Sequence, residues 1–404
     1  MPKDTLSLFL KQKNIAEVLK VLHLEQAVSR AKIAALTGVA PSTVSSIVDK
    51  LEKEQIVEYI EGSLAPSSIG RPPLLLRYNP TSFYVLGIEI NLLGSQVMIV
   101  GIDGAVVLKR EIIIKARDNP GNVLSHLADM AAQVIAESEI EQNRIIGIGV
   151  SFRGLIDRHS GRVQRSTSLP EWENINIVEG FKARFGLPVY AENNANAMVL
   201  GETRFGAGCG KKNVLGVIIE EGIGGGIIIN GRLYLGMHSA AGELGHMSVA
   251  SSGPICHCGN RGCLRTLASE SAIETNAIRI MKTGVKTLLK SHPETERPAI
   301  TAQDVVDASS RGDQVSREII LEAAGYLGTA LVNLTNLLSP ELIIFNYGTL
   351  TSYQPFTRRV TELISERSYS KEIGTPETAI SLLGLDAVGV GAASVVMDRL
   401  LAAN

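Results

Sequence analysis

A chain of 404 residues is longer than one ordinary domain, so two or three compact units are expected. Apolar residues make up 45%, the globular range, and the net charge of −2 argues against a wholly basic nucleic-acid coat. No apolar run approaches the ~20 residues needed to cross a bilayer. The N-terminus also lacks the basic-then-apolar layout of a signal peptide, so a cytoplasmic location away from membranes is expected.

In chain order, Ile15, Val18, Leu19 and Leu22 recur at three- and four-residue spacing and predict a first helix. Ser29 is placed to cap a second over 30–36, with Ile33 and Leu36 inward. Gly38 makes the turn, and Pro41 opens a third helix, where its missing N–H costs nothing. Val44, Ile47, Val48 and Leu51 form that helix's buried stripe, leaving Ser42, Thr43, Ser45 and Ser46 outward near its start. Two short strands, 56–60 and 74–77, then flank a polar tip over 61–73. Helix, turn, helix, then a strand pair with a Gly/Pro-rich tip reads as a winged helix-turn-helix over residues 1–80. Small polar side chains at the start of the recognition helix suit base edges and phosphates. Arg71, in Gly70-Arg71-Pro72, suits a narrow minor groove. These 80 residues carry +2, against −4 for the rest, which agrees with DNA binding by the front end.

From Tyr84 onward, strand-like runs (84–90, 96–102, 106–114, 144–150, 214–219, 226–229, 342–345) alternate with helical stretches (123–139, 195–205, 302–309, 315–338). This alternation predicts α/β layers in two lobes over 81–404. The first lobe is expected over about 81–198 plus a C-terminal helix near 386–404, and the second over about 199–385.

Cys256, Cys258 and Cys263 form a C-x-C-x4-C knuckle, which in a reducing compartment reads as metal ligands before disulfides. Three thiolates need a fourth ligand to close a tetrahedral structural zinc site. His246, ten residues upstream of Cys256, is preferred over His257, which would have to fold back on its own loop. Glu221 to Gly226, between two strands, resembles a phosphate-cradling turn, although a tight hairpin accounts for such glycines equally well.

In this order the pieces resemble the ROK family of repressors, reading frames and sugar kinases. The resemblance rests on Gly242-Glu243-Leu244-Gly245-His246 with the knuckle and Leu264. It rests also on Glu192-Asn193-Asn194-Ala195-Asn196-Ala197, on Gly224-Gly225-Gly226 with Asn230-Gly231, and on the helix start at 389–393. The front domain with Gly70-Arg71-Pro72 is like that of the family's repressors. The resemblance implies an actin/hexokinase-like body with a sugar in the cleft, held by Asn193, Glu243 and His246. His246 would bind zinc through one ring nitrogen and address the sugar with the other.

Departures from the kinase pattern are informative. Asn194 stands at the position of the catalytic Asp, and an amide cannot take the proton from the attacking hydroxyl. Glu89 to Gly94, with Leu92 and Leu93, replaces a glycine-rich phosphate loop. Glu221 replaces a Thr, and Asn346-Tyr347 replaces a glycine pair on the adenosine side. Arg265 stands where the family's sugar-binding Glu follows the last cysteine. The expectation is a homodimeric or homotetrameric regulator without kinase activity, which reads an inverted-repeat operator and answers to a sugar or anionic sugar derivative bound by Asn193, Asn194, Glu243, His246 and Arg265. A sugar kinase with an appended head, or control by a docked protein partner, are the alternatives.

Overall fold

The computed structural model describes residues 6, 8–61, 74–92, 94–115, 117–290 and 300–402. Helix α1 (Lys13–Glu25) turns Ile15, Val18, Leu19 and Leu22 inward, and His23 lies buried with them. The Ser29 hydroxyl accepts from the Lys32 N–H at 3.2 Å and caps α2 (Arg30–Thr37), which ends at left-handed Gly38. Pro41 opens α3 (Pro41–Lys53), bent 120° from α2 and buried through Val44, Ile47, Val48 and Leu51. That crossing is the helix-turn-helix angle. Leu36, expected inward, is instead 52% exposed: α2 is short and ends one residue later, at Thr37, so only Ile33 reaches the core. Strands β1 (Val57–Glu61) and β2 (Leu74–Tyr78) pair antiparallel, and Leu76 exchanges backbone hydrogen bonds with Val28. The tip with Arg71 falls outside the described residues.

The chain resolves into two units, one formed by 1–205 with 388–404, which includes the head, the other by 206–387. The first contains β3 (Tyr84–Ile90), β4 (Ser95–Gly101), β5 (Val106–Ile112), β6 (Ile145–Phe152), the hairpin β7 (Leu155–Asp157) and β8 (Arg162–Arg165), and β9 (Val189–Asn193). Its five-stranded sheet runs β5-β4-β3-β6-β9, antiparallel across the first three strands and parallel across the last three. Helices α4 (Pro120–Glu137), α5 (Glu179–Phe185) and α6 (Asn194–Phe205) belong to this unit. Val123, Leu127, Ala131 and Val134 of α4 pack on Leu86, Ile88, Val97 and Ile148.

The second unit repeats the plan. Strands β10 (Val214–Ile219), β11 (Ile223–Ile229) and β12 (Arg232–Leu233) precede α7 (Arg265–Ala268), α8 (Glu270–Met281), α9 (Ala302–Ser310) and α10 (Gln314–Leu338). Strand β13 (Leu342–Phe345), α11 (Gln354–Arg367) and β14 (Glu377–Ile380) complete it. The sheet order β12-β11-β10-β13-β14 is the first unit's order repeated, with the same change from antiparallel to parallel pairing. Its core joins α10 residues Ile320, Ala324, Leu327 and Leu331 to Val217, Ile343 and Phe345 of the sheet.

Helix α12 (Ala387–Ala402) returns to the first unit and lies directly on its sheet. A Cβ on Gly149 would overlap the Ala392 carbonyl, and one on Gly391 would overlap that of Ala197, so only glycines allow this approach. Among the described residues, no single helix is long and apolar enough to cross a membrane.

Candidate functional site

Two glycines set the geometry of the second unit's site. Gly225 lies within β11, and Gly242, at φ +84, faces it backbone to backbone, so that a Cβ on either would strike the other's carbonyl. The segment 242–246 is thereby laid flat against β11. The glycine-rich run is therefore only partly a turn. Glu220 to Gly222 close the hairpin, with the Glu220 N–H donating to the Gly222 carbonyl at 2.9 Å, while Gly224 to Gly226 are strand. Their small size serves the close packing of that segment.

His246 ends the segment with its ring Nδ1 3.7 Å from the Cys256 sulfur, and the Cys258 and Cys263 sulfurs are 3.6 Å apart. All four ligand atoms lie within 4.8 Å of one another. Tetrahedral zinc with ~2.3 Å bonds to sulfur requires sulfurs about 3.8 Å apart, so this donor set fits such an ion. The Cys256 N–H donates to the Asn260 carbonyl at 2.7 Å, and that of Gly262 to the Pro254 carbonyl at 2.9 Å, closing the knuckle. Burial, together with the two neighbouring thiols, pushes the Cys263 thiol up to about 12. Backbone and thiol hydrogen bonds hold Cys258 below its ordinary value. Ionising Cys263 beside its neighbours is costly, and a divalent cation removes that cost. His257 is exposed and stands outside the cluster.

Arg265 follows the knuckle as the first residue of α7. Its guanidinium packs on the β10–β11 turn, where a Cβ on Gly222 would lie 3.4 Å from it. It is also close enough to Glu243 to act on that carboxyl. The surrounding protein pushes Glu243 above the usual carboxylate range, and Arg265 partly offsets this. Arg265 and Glu221 both line a cavity of about 470 Å³, with Arg279, Asn276 and Tyr326 from α8 and α10.

In the first unit, Asn193 and Asn194 sit where β9 runs into α6. The Asn193 Oδ1 accepts from the Ala195 N–H at 2.8 Å and its Nδ2 donates to the Gly154 carbonyl at 3.0 Å, so this side chain caps the helix. Asn194 is buried as the first residue of α6. Among the kinase-pattern departures, Glu89 is buried in β3, accepting from Gln96 at 2.6 Å and Asn91 at 3.2 Å. Asn346 clamps the strand ends, accepting from the Ile219 N–H at 2.8 Å. Leu93 falls outside the described residues.

On the head, Ser42 and Ser46 are exposed, and Thr43 and Ser45 half-buried, on the N-terminal half of α3. One cluster was missed in the sequence. His23 of α1 is 3% exposed and bonds Asp398 of α12, which Arg204 of α6 also approaches. The available signal was its position, four residues after Leu19 on the buried stripe.

A helix-turn-helix head, two repeated α/β units and a thiol-rich knuckle beside an arginine define a ligand-responsive regulator of transcription. The ROK family model matches residues 85–399. The xylose repressor of Bacillus subtilis (strain 168) is 32% identical over 393 residues, covering 97% of each chain. A crystal structure of a ROK family transcriptional regulator, homolog of the E. coli MLC protein, aligns at a TM-score of 0.78 and 25% identity, covering 96% of this chain and 97% of that one. The glucokinase of Thermotoga maritima is 30% identical but covers 78% of this chain and 98% of its own. The chain belongs to the ROK family, as a carbohydrate-responsive transcriptional repressor.

Proposed function

We propose that α3 enters the major groove of an inverted-repeat operator, with Ser42, Thr43, Ser45 and Ser46 at base edges and phosphates, and that Arg71 of the wing occupies the adjacent minor groove. A two-fold assembly of this chain presents two such heads. The His246, Cys256, Cys258 and Cys263 cluster holds one structural zinc, which fixes the loop leading into Arg265. The effector is an anionic carbohydrate derivative that meets Arg265, Glu243 and His246. It alters operator affinity only by binding one arrangement of the protein more tightly than another.

The observation that carries this reading is the placement of Arg265, whose guanidinium lies beside the β10–β11 turn and Glu243. A planar, permanently charged group there suits bidentate contact with a carboxylate or phosphate. The same placement, with Glu221 on the turn and Asn194 in place of a carboxylate, disfavours phosphoryl transfer from ATP. Calorimetric titration with a sugar acid, a sugar phosphate and the parent neutral sugar tests the reading. Tight binding of an anionic form, lost in Arg265→Glu, supports it. Tight binding of the neutral sugar that survives Arg265→Glu overturns it.

A further inference from the structure

The first unit contains a cavity of about 990 Å³. It lies at the turn after β7 and the edge of β9, with Arg158, Lys182, Tyr190 and Arg399 in its wall. One carboxylate, Glu192, pairs with Arg158 and acts on Arg399 only through its charge. Arg158 pairs with Glu192 Oε2 at 2.6 Å, and the other oxygen of Glu192 is taken by the Asn193 N–H and the Asn196 amide, each at 3.0 Å. Arg399 reaches only the Arg158 carbonyl, at 3.3 Å, and the ring of Tyr190, whose centroid is 5.9 Å away.

The Nε donors of both arginines are buried and have no hydrogen-bond partner among the described residues. Burial and the charge of Arg158 together hold the Arg399 guanidinium below its ordinary range, with Glu192 only partly offsetting them. Lys182 adds a further cation at the wall, against Glu179 one turn away on α5. A pair of half-buried guanidiniums, only one of them paired with a carboxylate, is an arrangement short of negative charge. The cavity is of the size that takes a small organic ligand.

We propose that this cavity is a second small-molecule site, independent of the Arg265 reading, and that it takes a phosphate-bearing ligand held by Arg399, Arg158 and Lys182. Guanidinium pairs bind phosphate bidentately, and Tyr190 offers a ring face beside it. The location gives such a ligand two routes to the rest of the protein. Glu192 directly precedes the Asn193–Asn194 stretch, and Asp398, next to Arg399 on α12, bonds His23 of the DNA-binding head.

Calorimetry on the full-length, zinc-loaded protein with orthophosphate, pyrophosphate and glucose 6-phosphate tests the proposal. A saturable binding component is expected that persists in Arg265→Gln, where the other anion site is removed, and that weakens about tenfold or more when Arg399→Gln is added and several-fold when Lys182→Gln is added. Lys182 is exposed on α5, so its variant reports on the site even if Arg399→Gln disturbs α12. Tighter binding of glucose 6-phosphate identifies an ester as the ligand, and equal binding of orthophosphate identifies the free anion. The proposal is overturned if none of the three binds at millimolar concentration, if neither Arg399→Gln nor Lys182→Gln weakens the binding that persists in Arg265→Gln, or if binding is lost in Arg265→Gln alone.

Discussion

The Nε2–H of His23 donates to Asp398 Oδ1 at 2.6 Å, joining the first helix of the DNA-binding head to the last helix of the body. Burial alone would push the Asp398 carboxyl up, but the hydrogen bond and charge of His23, together with Arg204, hold it below its ordinary value. Arg204 lies in the last turn of α6, which begins at Asn194, so one cluster ties the head to that helix.

Replacing His23 by Ala should destabilise the protein by about 1.5–3 kcal/mol, the range for a hydrogen bond to a charged group. Because the folded pKa of Asp398 is depressed, its contribution is fully present above the unfolded value of ~3.9 and is lost as pH falls through the folded one. Melting curves across acid pH should therefore show less acid sensitivity in Asp398→Asn than in the wild type. Identical pH profiles would remove Asp398 from this role.

Zinc removal should act locally. Elemental analysis should find about one zinc per chain, as a single four-ligand site requires. Cys258→Ser should release the ion and lower the melting temperature, with loss of anion binding at Arg265. A Cys258→Ser protein that keeps its full metal complement would show that the ligand set is wrong.

Gly242→Ala should be among the most damaging single changes in the second unit. The residue sits at φ +84, and its Cβ would collide with the Gly225 carbonyl, a rigid backbone atom. A cost of about 2 kcal/mol or more is expected. Effector binding should be lost, because Glu243 and His246 ride on the displaced segment. Unaltered denaturant midpoints and effector affinity would contradict the packing described.

Much of this was legible in the sequence because it is local. The helix-turn-helix follows from a hydrophobic stripe, a serine cap, a glycine and a proline. The knuckle follows from cysteine spacing, and His246 from its distance to it. What was not legible depends on non-local packing. Strands β9 and β14 carry few residues, and α8 buries only Ile273 and Ala277. Helix α11 does carry a stripe, Phe356, Val360, Leu363 and Ile364, which periodicity could have found. The strand character of Gly224 to Gly226 is set by Gly242 on another segment. His23 looked like an ordinary polar position because its partner, Asp398, lies at the other end of the chain.

Phosphoryl transfer should be absent. With ATP and a panel of hexoses, turnover should stay at background in the wild type and in Asn194→Asp, since a restored base without a bound phosphate donor has nothing to transfer. Measurable turnover in the wild type would reinstate the kinase reading.

The most direct test of the regulator is selection of duplexes from a random pool by the zinc-loaded protein, followed by gel-shift titration of the enriched sequence. An inverted repeat with half-sites about one helical turn apart, or a multiple of it, is expected. Ser42→Ala with Ser45→Ala should weaken that specific complex while leaving non-specific binding in place. An anionic sugar that binds at Arg265 should release the wild type and fail to release Arg265→Glu. No enriched sequence, or specific binding unchanged in the double serine variant, would contradict a head that reads DNA through α3.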